Sequence, residues 1–327
     1  RILDAESGER VAFTFNCTDG LNLLLRGVLR QGDRVVTSTM EHNSVLRPLQ
    51  QLKSEFDLSL VHVDFDRTTG LVDADAFVRE LHHSQTRLAV LNHASNVTGI
   101  VQPVEAISAA AHETGALLML DAAQTVGHIP FSVRDLNVDM LASAGHKGLL
   151  GPLGTGILYI RDGLEDEILP IRSGGTGTDS ESLLQPPFMP TKFESGNMNM
   201  PGLAGLNAAA EWILQQTVES LHCQITTLSK QLSYELRHIS GVTVYGDTEL
   251  QNVGIVSFTV NGMDSQDVAA VLDQSFQIRC RAGLHCAPLV HRTLGTIPTG
   301  GTVRLSPGPF TVQADVTKAV EAVSQLA

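Results

Sequence analysis

Four polar clusters in this chain each follow an apolar run: Cys17-Thr18-Asp19-Gly20, Asn92-His93-Ala94-Ser95-Asn96, Asp121-Ala122-Ala123-Gln124 and Ala144-Gly145-His146-Lys147. Asp121 ends the run Leu117–Leu120. A carboxylate there needs a partner: a helix start, a salt bridge, or the protonated nitrogen of a bound heterocycle. Lys147 is either a solvated loop lysine or an amine held to attack an aldehyde. The glycines around it and the turn at Gly151-Pro152-Leu153-Gly154 imply a tightly shaped backbone. Thr18–Asn22 opens a helix whose N–H groups and dipole suit an anion. Cys286, in Arg281-Ala282-Gly283-Leu284-His285-Cys286, has three readings. It is a small buried apolar group, a metal ligand with Cys280, His285 and His291 at a spacing that fits no common zinc pattern, or a thiolate favoured by nearby Arg281 and His285.

Ligands of open α/β sheets bind at the carboxyl ends of the strands, so the elements carrying these clusters matter. Strands are expected at 11–15, 34–37, 58–63, 87–91, 116–120, 140–142 and 156–160. Helices are expected at 18–29, 45–56, 74–82 and 103–114, the last opened by Pro103. This alternation predicts a mostly parallel sheet with helices on both faces and right-handed crossovers. The segment 173–201 is rich in Gly, Pro, Ser and Thr and has no period, as in a functional or disordered loop. Helices at 203–214 and 218–239 follow. A strand at 253–260, a helix at 265–274, short strands near Ile278 and Val303 and a helix from Ala314 complete a smaller α+β unit. The chain is expected to divide into a large unit, 1–205, and a small one, 206–327. Ile2–Arg10 reads as the end of a helix, so sequence is expected before Arg1.

The 327 residues are 43% apolar and 17% charged, the balance of a soluble globular enzyme. A formal charge of -13 without a Lys/Arg tract argues against nucleic acid or anionic membrane as partner. No apolar run is long enough to span a bilayer. Four cysteines without a CxxC pair imply a reducing, cytoplasmic setting.

Eight segments then combine: CTDGLN (17–22), TMEHNS (39–44), NHASNVTG (92–99), LDAAQ (120–124), AGHKGLLGP (144–152), FESGNMNMPG (193–202), RAGLHCAPL (281–289) and TVRLSPGPF (302–310). In this order the chain resembles the class V aminotransferase group of fold-type I pyridoxal-phosphate (PLP) enzymes, and within it the cysteine desulfurases. RAGLHCAPL is similar to the SufS-like and selenocysteine-lyase-like branch. The resemblance implies the aspartate aminotransferase-like fold, a homodimer, PLP as cofactor, L-cysteine as substrate and a sulfur-acceptor protein as partner.

It also implies roles. Lys147 would hold PLP as a Schiff base, Asp121 would pair with the pyridine nitrogen, and Gln124 would contact the ring oxygen with Asn96 nearby. His42 would stack on the ring and move protons. Cys17, Thr18 and His146 would hold the phosphate. Arg304, with Asn96 and Arg281, would bind the substrate carboxylate, a bidentate task that suits arginine. Cys286 would take the substrate sulfur as a persulfide and leave alanine.

The chain departs from the family pattern at the phosphate end. Ala144 stands where Ser or Thr is usual, and Gly196-Asn197-Met198-Asn199-Met200 replaces Gly-Thr-x-Asn-Thr. Ser143 is one residue away and faces the other side of a strand. Thr176, in Gly174-Gly175-Thr176-Gly177, is the expected compensating phosphate ligand. The competing readings are another reaction on the same fold (transamination, selenocysteine lysis or β-elimination) and a non-catalytic paralogue.

Overall fold

A computed structural model of the chain describes residues 1–247 and 249–327. The first half alternates as the periodicity predicts: β1 (Val11–Thr14), α1 (Cys17–Val28), β2 (Arg34–Ser38), α2 (Asn43–Phe56), β3 (Ser59–Val63), α3 (Ala74–His83), β4 (Leu88–Asn92), α4 (Val104–Glu113), β5 (Leu117–Asp121), β6 (Met140–Ala144) and β7 (Gly156–Ile160). The strands pair in the order β1-β7-β6-β5-β4-β2-β3. β2 through β6 run parallel, and β7 and β1 join antiparallel.

Strands β4 to β7 are buried at every position, so they read as unbroken apolar runs rather than alternating ones. Their side chains still divide by strand parity. Leu91, Leu120 and Leu141 pack in one apolar layer with Phe77 and Ile107. Val90, Met119 and Met140 pack in the other with Leu24 and Leu49. In α1, Leu21, Leu24, Leu25 and Val28 are buried, while Asn16 caps its start by accepting from the Asp19 N–H at 2.9 Å. Gly20 lets this helix lie on β6, because a Cβ there would meet the Ala142 Cβ at 3.1 Å.

The rest of the chain adds α5 (Met200–Gln216), α6 (Val218–Arg237), β8 (Val242–Tyr245), β9 (Val256–Val260), α7 (Ser265–Phe276), β10 (Arg281–Gly283), α8 (Pro288–Leu294), β11 (Thr302–Leu305) and α9 (Gln313–Ser324). β10-β11-β9-β8 form an antiparallel sheet. It has its own core, with Leu232, Leu236, Phe258, Leu272 and Val323. Residues 205 and 206 lie within α5, whose Leu206 and Ile213 pack in the first sheet's apolar layer. Ala287, Val290 and Leu294 join the same layer. The chain just after Cys286 is therefore anchored on the first sheet.

Two local expectations fail and two short elements go unpredicted, each for a physical reason. Ile2–Arg10 holds only a short 3-10 turn at Gly8–Arg10, because Leu3 is buried and its carbonyl accepts from the Val133 N–H at 3.0 Å. The strand expected near Ile278 lies at Arg281–Gly283, because the Ile278 N–H closes α7 on the Leu272 carbonyl at 2.9 Å. β8 and α8 are too short to leave a period, at four and seven residues.

Candidate active site

The ends of β2, β4, β5 and β6 and the start of α1 open on one cavity of about 200 Å³. Cys17, Thr18, His42, Asn96, Asp121, Gln124, His146, Lys147 and Arg281 all line it. A larger groove of about 510 Å³, between the N-terminal segment and α5, is lined mainly by apolar groups such as Leu3, Phe13 and Leu206. Its only ionisable side chain is Arg1, so it gathers no set of groups for catalysis.

Asp121 continues β5 to its last residue and is 3% exposed. Its Oδ1 accepts from the Ala123 N–H at 3.0 Å and from the Cys17 thiol at 3.5 Å. Burial and then the Asp121 charge push the Cys17 thiol well above its ordinary range. Cys17 is thus a neutral donor that orients the carboxylate.

His42 caps α2. The Ser44 N–H donates to its Nδ1 at 3.0 Å, which leaves that nitrogen unprotonated and places the proton on Nε2. The Ser44 hydroxyl then donates to the same Nδ1 at 2.8 Å, and the Thr18 hydroxyl donates to Ser44 at 2.7 Å. Burial lowers the His42 pKa against the opposing pull of Asp121. Burial and the acceptor role of Nδ1 together favour the neutral ring.

Lys147 sits in a turn closed by the Leu150 N–H on its carbonyl at 2.8 Å and the Gly151 N–H on the Gly145 carbonyl at 2.7 Å. The flanking glycines are steric requirements. A Cβ on Gly145 would meet the Thr155 Oγ1 at 2.1 Å, and one on Gly148 the Val126 carbonyl oxygen at 2.4 Å. Gln124 is held alongside as its carbonyl accepts from His128 Nδ1 at 2.8 Å.

Cys286 is exposed and lies in a turn closed by the Ala287 N–H on the Leu284 carbonyl at 2.8 Å. Both central residues are left-handed, His285 at φ 48° and Cys286 at φ 60°, a conformation that non-glycine residues hold under external restraint. The restraints are visible. The Asn43 N–H donates to the Cys286 carbonyl at 2.7 Å, and Asn96 Nδ2 donates to the His285 carbonyl at 2.6 Å. Arg281 and Arg304 face each other across the β10–β11 ladder. Arg304 Nη1 donates to the Asn96 carbonyl at 2.8 Å. Burial and the neighbouring Arg281 lower its pKa to about 10, so it stays charged at neutral pH.

Two expectations are corrected. His285 does not lend Cys286 a positive charge. It is 5% exposed, its Nε2 donates to the Thr302 carbonyl at 3.0 Å, and burial with Arg304 nearby pushes its pKa down to about 3. Arg281 and Arg304 are the cations of that region. Thr176 is not brought to the cavity, because its hydroxyl is engaged within its own loop by the Thr178 Oγ1 at 3.0 Å and carbonyl at 3.2 Å. At the same end Ala144 lines the cavity, while Ser143 turns away and donates to the Ala122 carbonyl at 3.0 Å. Asn197 and Met200 are exposed.

Three contributors escaped the sequence reading. Ser44 relays Thr18 to His42, and a serine two residues after a histidine that starts a helix is its only signal. Asn43 acts through its backbone and leaves none. Glu41 is fully buried, and its Oε1 accepts from the Asn92 N–H at 2.9 Å and the Ser38 hydroxyl at 2.7 Å. Its Oε2 has no partner among the described residues, and burial raises its pKa to about 8.

These residues fit a phosphorylated pyridine aldehyde. A buried carboxylate, a neutral imidazole, a primary amine and a helix start bearing a hydroxyl share one cavity, and the buried Asn96 Oδ1 lacks a partner among the described residues.

The family model described as Aminotransferase class-V matches residues 1–319. A probable cysteine desulfurase of Methanothermobacter thermautotrophicus is 35% identical, over 98% of this chain and 80% of that protein. A probable cysteine desulfurase of Vibrio cholerae is 31% identical, over 99% of this chain and 79% of the other. Among solved structures, the apo cysteine desulfurase of Thermococcus onnurineus matches with a TM-score of 0.92 and 33% identity, over 99% of this chain and 80% of that one.

Proposed function

The chain belongs to the class-V aminotransferase family, and on that premise we infer that it is a PLP-dependent cysteine desulfurase that converts L-cysteine to L-alanine. The observation that carries the reading is the placement of an exposed cysteine turn against a cavity holding Asp121, His42 and Lys147: Asn43 and Asn96 tie that turn to the cavity wall. Bound there, PLP would supply an electron sink for the substrate Cα. Lys147 would hold it and move the Cα proton at Nζ. Asp121, oriented by Cys17 and Ala123, would keep the ring nitrogen protonated. His42 would lie against the ring with its proton on Nε2. The backbone N–H of Thr18 at the start of α1, with His146, would take the phosphate, and Gln124 the ring oxygen.

The substrate carboxylate would sit on Arg304 and Arg281, two cations that face each other and need an anion between them. The Cys286 thiolate then attacks the substrate sulfur. An S–S bond forms, the substrate Cβ–S bond breaks, and a proton takes the sulfur's place on Cβ. The exposure of Cys286 suits handover of the persulfide to a sulfur-acceptor protein.

The reading includes two units, divided near residue 205, and a homodimer. Exposed Leu153, Leu183, Leu184 and Met200 support the dimer, as apolar groups that a partner subunit would cover. It also includes a cytoplasmic setting, supported by four free cysteines. Among the described residues no helix is long and apolar enough to cross a membrane.

The test is turnover of L-cysteine by the PLP-loaded protein, with alanine measured directly. Cys286→Ser should keep the cofactor and lose alanine release by at least about 100-fold. Full alanine release in that variant would overturn the assignment in favour of a lyase or transaminase.

A further inference from the structure

Asn96 touches three things at once. It lines the cavity at 5% exposure, its side chain donates to the His285 carbonyl at 2.6 Å, and its own carbonyl accepts from Arg304 Nη1 at 2.8 Å. The sulfur-accepting turn and one of the paired arginines therefore hang on the same residue. Among the described residues, three buried polar atoms of this cluster lack partners: the Asn96 Oδ1, the His285 Nδ1 and the Arg304 Nε. Buried polar atoms are normally paired, so the cluster has capacity that a bound molecule can fill. The turn itself is held in left-handed geometry at His285 and Cys286. Such residues relax when their restraints are removed.

We propose that Asn96 is a positioning residue that latches the Cys286 turn to the cavity wall and lets it go when the carboxylate of an amino acid engages Arg304. The carboxylate competes for the guanidinium that now donates to the Asn96 carbonyl. Asn96 then shifts, its amide leaves the His285 carbonyl, and the turn keeps only the Asn43 tether. The thiol is thus parked while the cavity lacks substrate and freed when substrate arrives. This rests on the desulfurase reading for its purpose, while the latch stands on the hydrogen bonds alone.

The test is the rate at which iodoacetamide alkylates Cys286 in the PLP-loaded protein, read by peptide mass spectrometry. Cys223, exposed on α6, is the internal standard. Asn96→Ala should speed alkylation of Cys286 about fivefold, the factor that corresponds to one lost hydrogen bond, and leave Cys223 unchanged. Asn96→Asp keeps the shape but cannot donate, so it should match the alanine variant. L-alanine, the expected product, should speed Cys286 in the parent and add nothing in either variant. An unchanged rate in the Asp variant overturns the latch, and so does an L-alanine effect that survives there. Should both variants misfold, the parent alone decides, because absence of an L-alanine effect also overturns it. L-cysteine turnover plays no part in the measurement, so the latch and the desulfurase reading fail separately.

Discussion

On the cavity floor, Asp121 is 3% exposed and fixed by Cys17 and Ala123, while at the turn Cys286 is exposed and held through backbone carbonyls by Asn43 and Asn96. The floor residues lie at or just beyond strand ends of one mostly parallel sheet and are supported by packed layers on both faces. The turn hangs from the second sheet in a backbone conformation that needs outside restraint. The difference matches the two tasks. A cofactor's electronics require a preorganised setting, whereas a sulfur must leave the site, so its carrier has to move.

Removing the floor's amine has the largest expected effect. Lys147→Ala should abolish the yellow, borohydride-sensitive form and lower alanine release by at least about 10³-fold, the upper range for losing a proton-transfer group. Alkylation of Cys286 should change little, because no hydrogen bond of the turn passes through Lys147. A large change in that thiol's reactivity would show that floor and turn are one unit. The colour is checked by absorbance and the adduct by mass spectrometry after reduction.

Much of the floor was legible in the sequence because several of its groups follow buried apolar runs. Asp121 and Asn92 sit at strand ends, and Lys147 sits between glycines that sterics demand. The same legibility failed at the turn. His285 lies beside Cys286 in sequence and so reads as its charge partner, yet burial makes it neutral. Thr176 reads as a free hydroxyl among glycines, but short polar loops satisfy themselves locally. Asn43 contributes only a backbone N–H, which no side-chain pattern can reveal. α8 and β8 were lost for want of length, and the helix expected over Ile2–Arg10 was lost to a long-range bond of Leu3.

Glu41 ties the floor to the stability of the fold. Its carboxyl is raised by burial from an ordinary 4.5 to about 8. Between those values the folded protein keeps a proton that the unfolded chain releases. The stability contributed by this retained proton therefore declines as pH rises from about 4.5 and is gone above about 8. Glu41→Gln cannot ionise and keeps an acceptor for the Asn92 N–H and Ser38 hydroxyl. Its melting temperature should exceed the parent's by a margin that grows from pH 5 to pH 8, by at least about 2–4 °C. A margin independent of pH would show that the buried carboxyl is not the titrating group.

The smallest effect concerns the end of the floor that lacks furniture. Ala144 lines the cavity together with Thr18 and His146, while Ser143 turns away to the Ala122 carbonyl and Thr176 is occupied within its own loop. Ala144→Ser adds one hydroxyl on the cavity side of β6, because alternate strand residues face alternate sides. The change in volume is a single oxygen, so the packing of α1 on β6 should survive. One added hydrogen bond to the phosphate would tighten PLP about fivefold, read as a lower dissociation constant on titrating the cofactor-free protein. Alkylation of Cys286 and alanine release at saturating PLP should both stay as they are. Unaltered affinity would mean that the phosphate contacts other groups than those around Ala144, and the assignment of Thr18 and His146 would have to move with it.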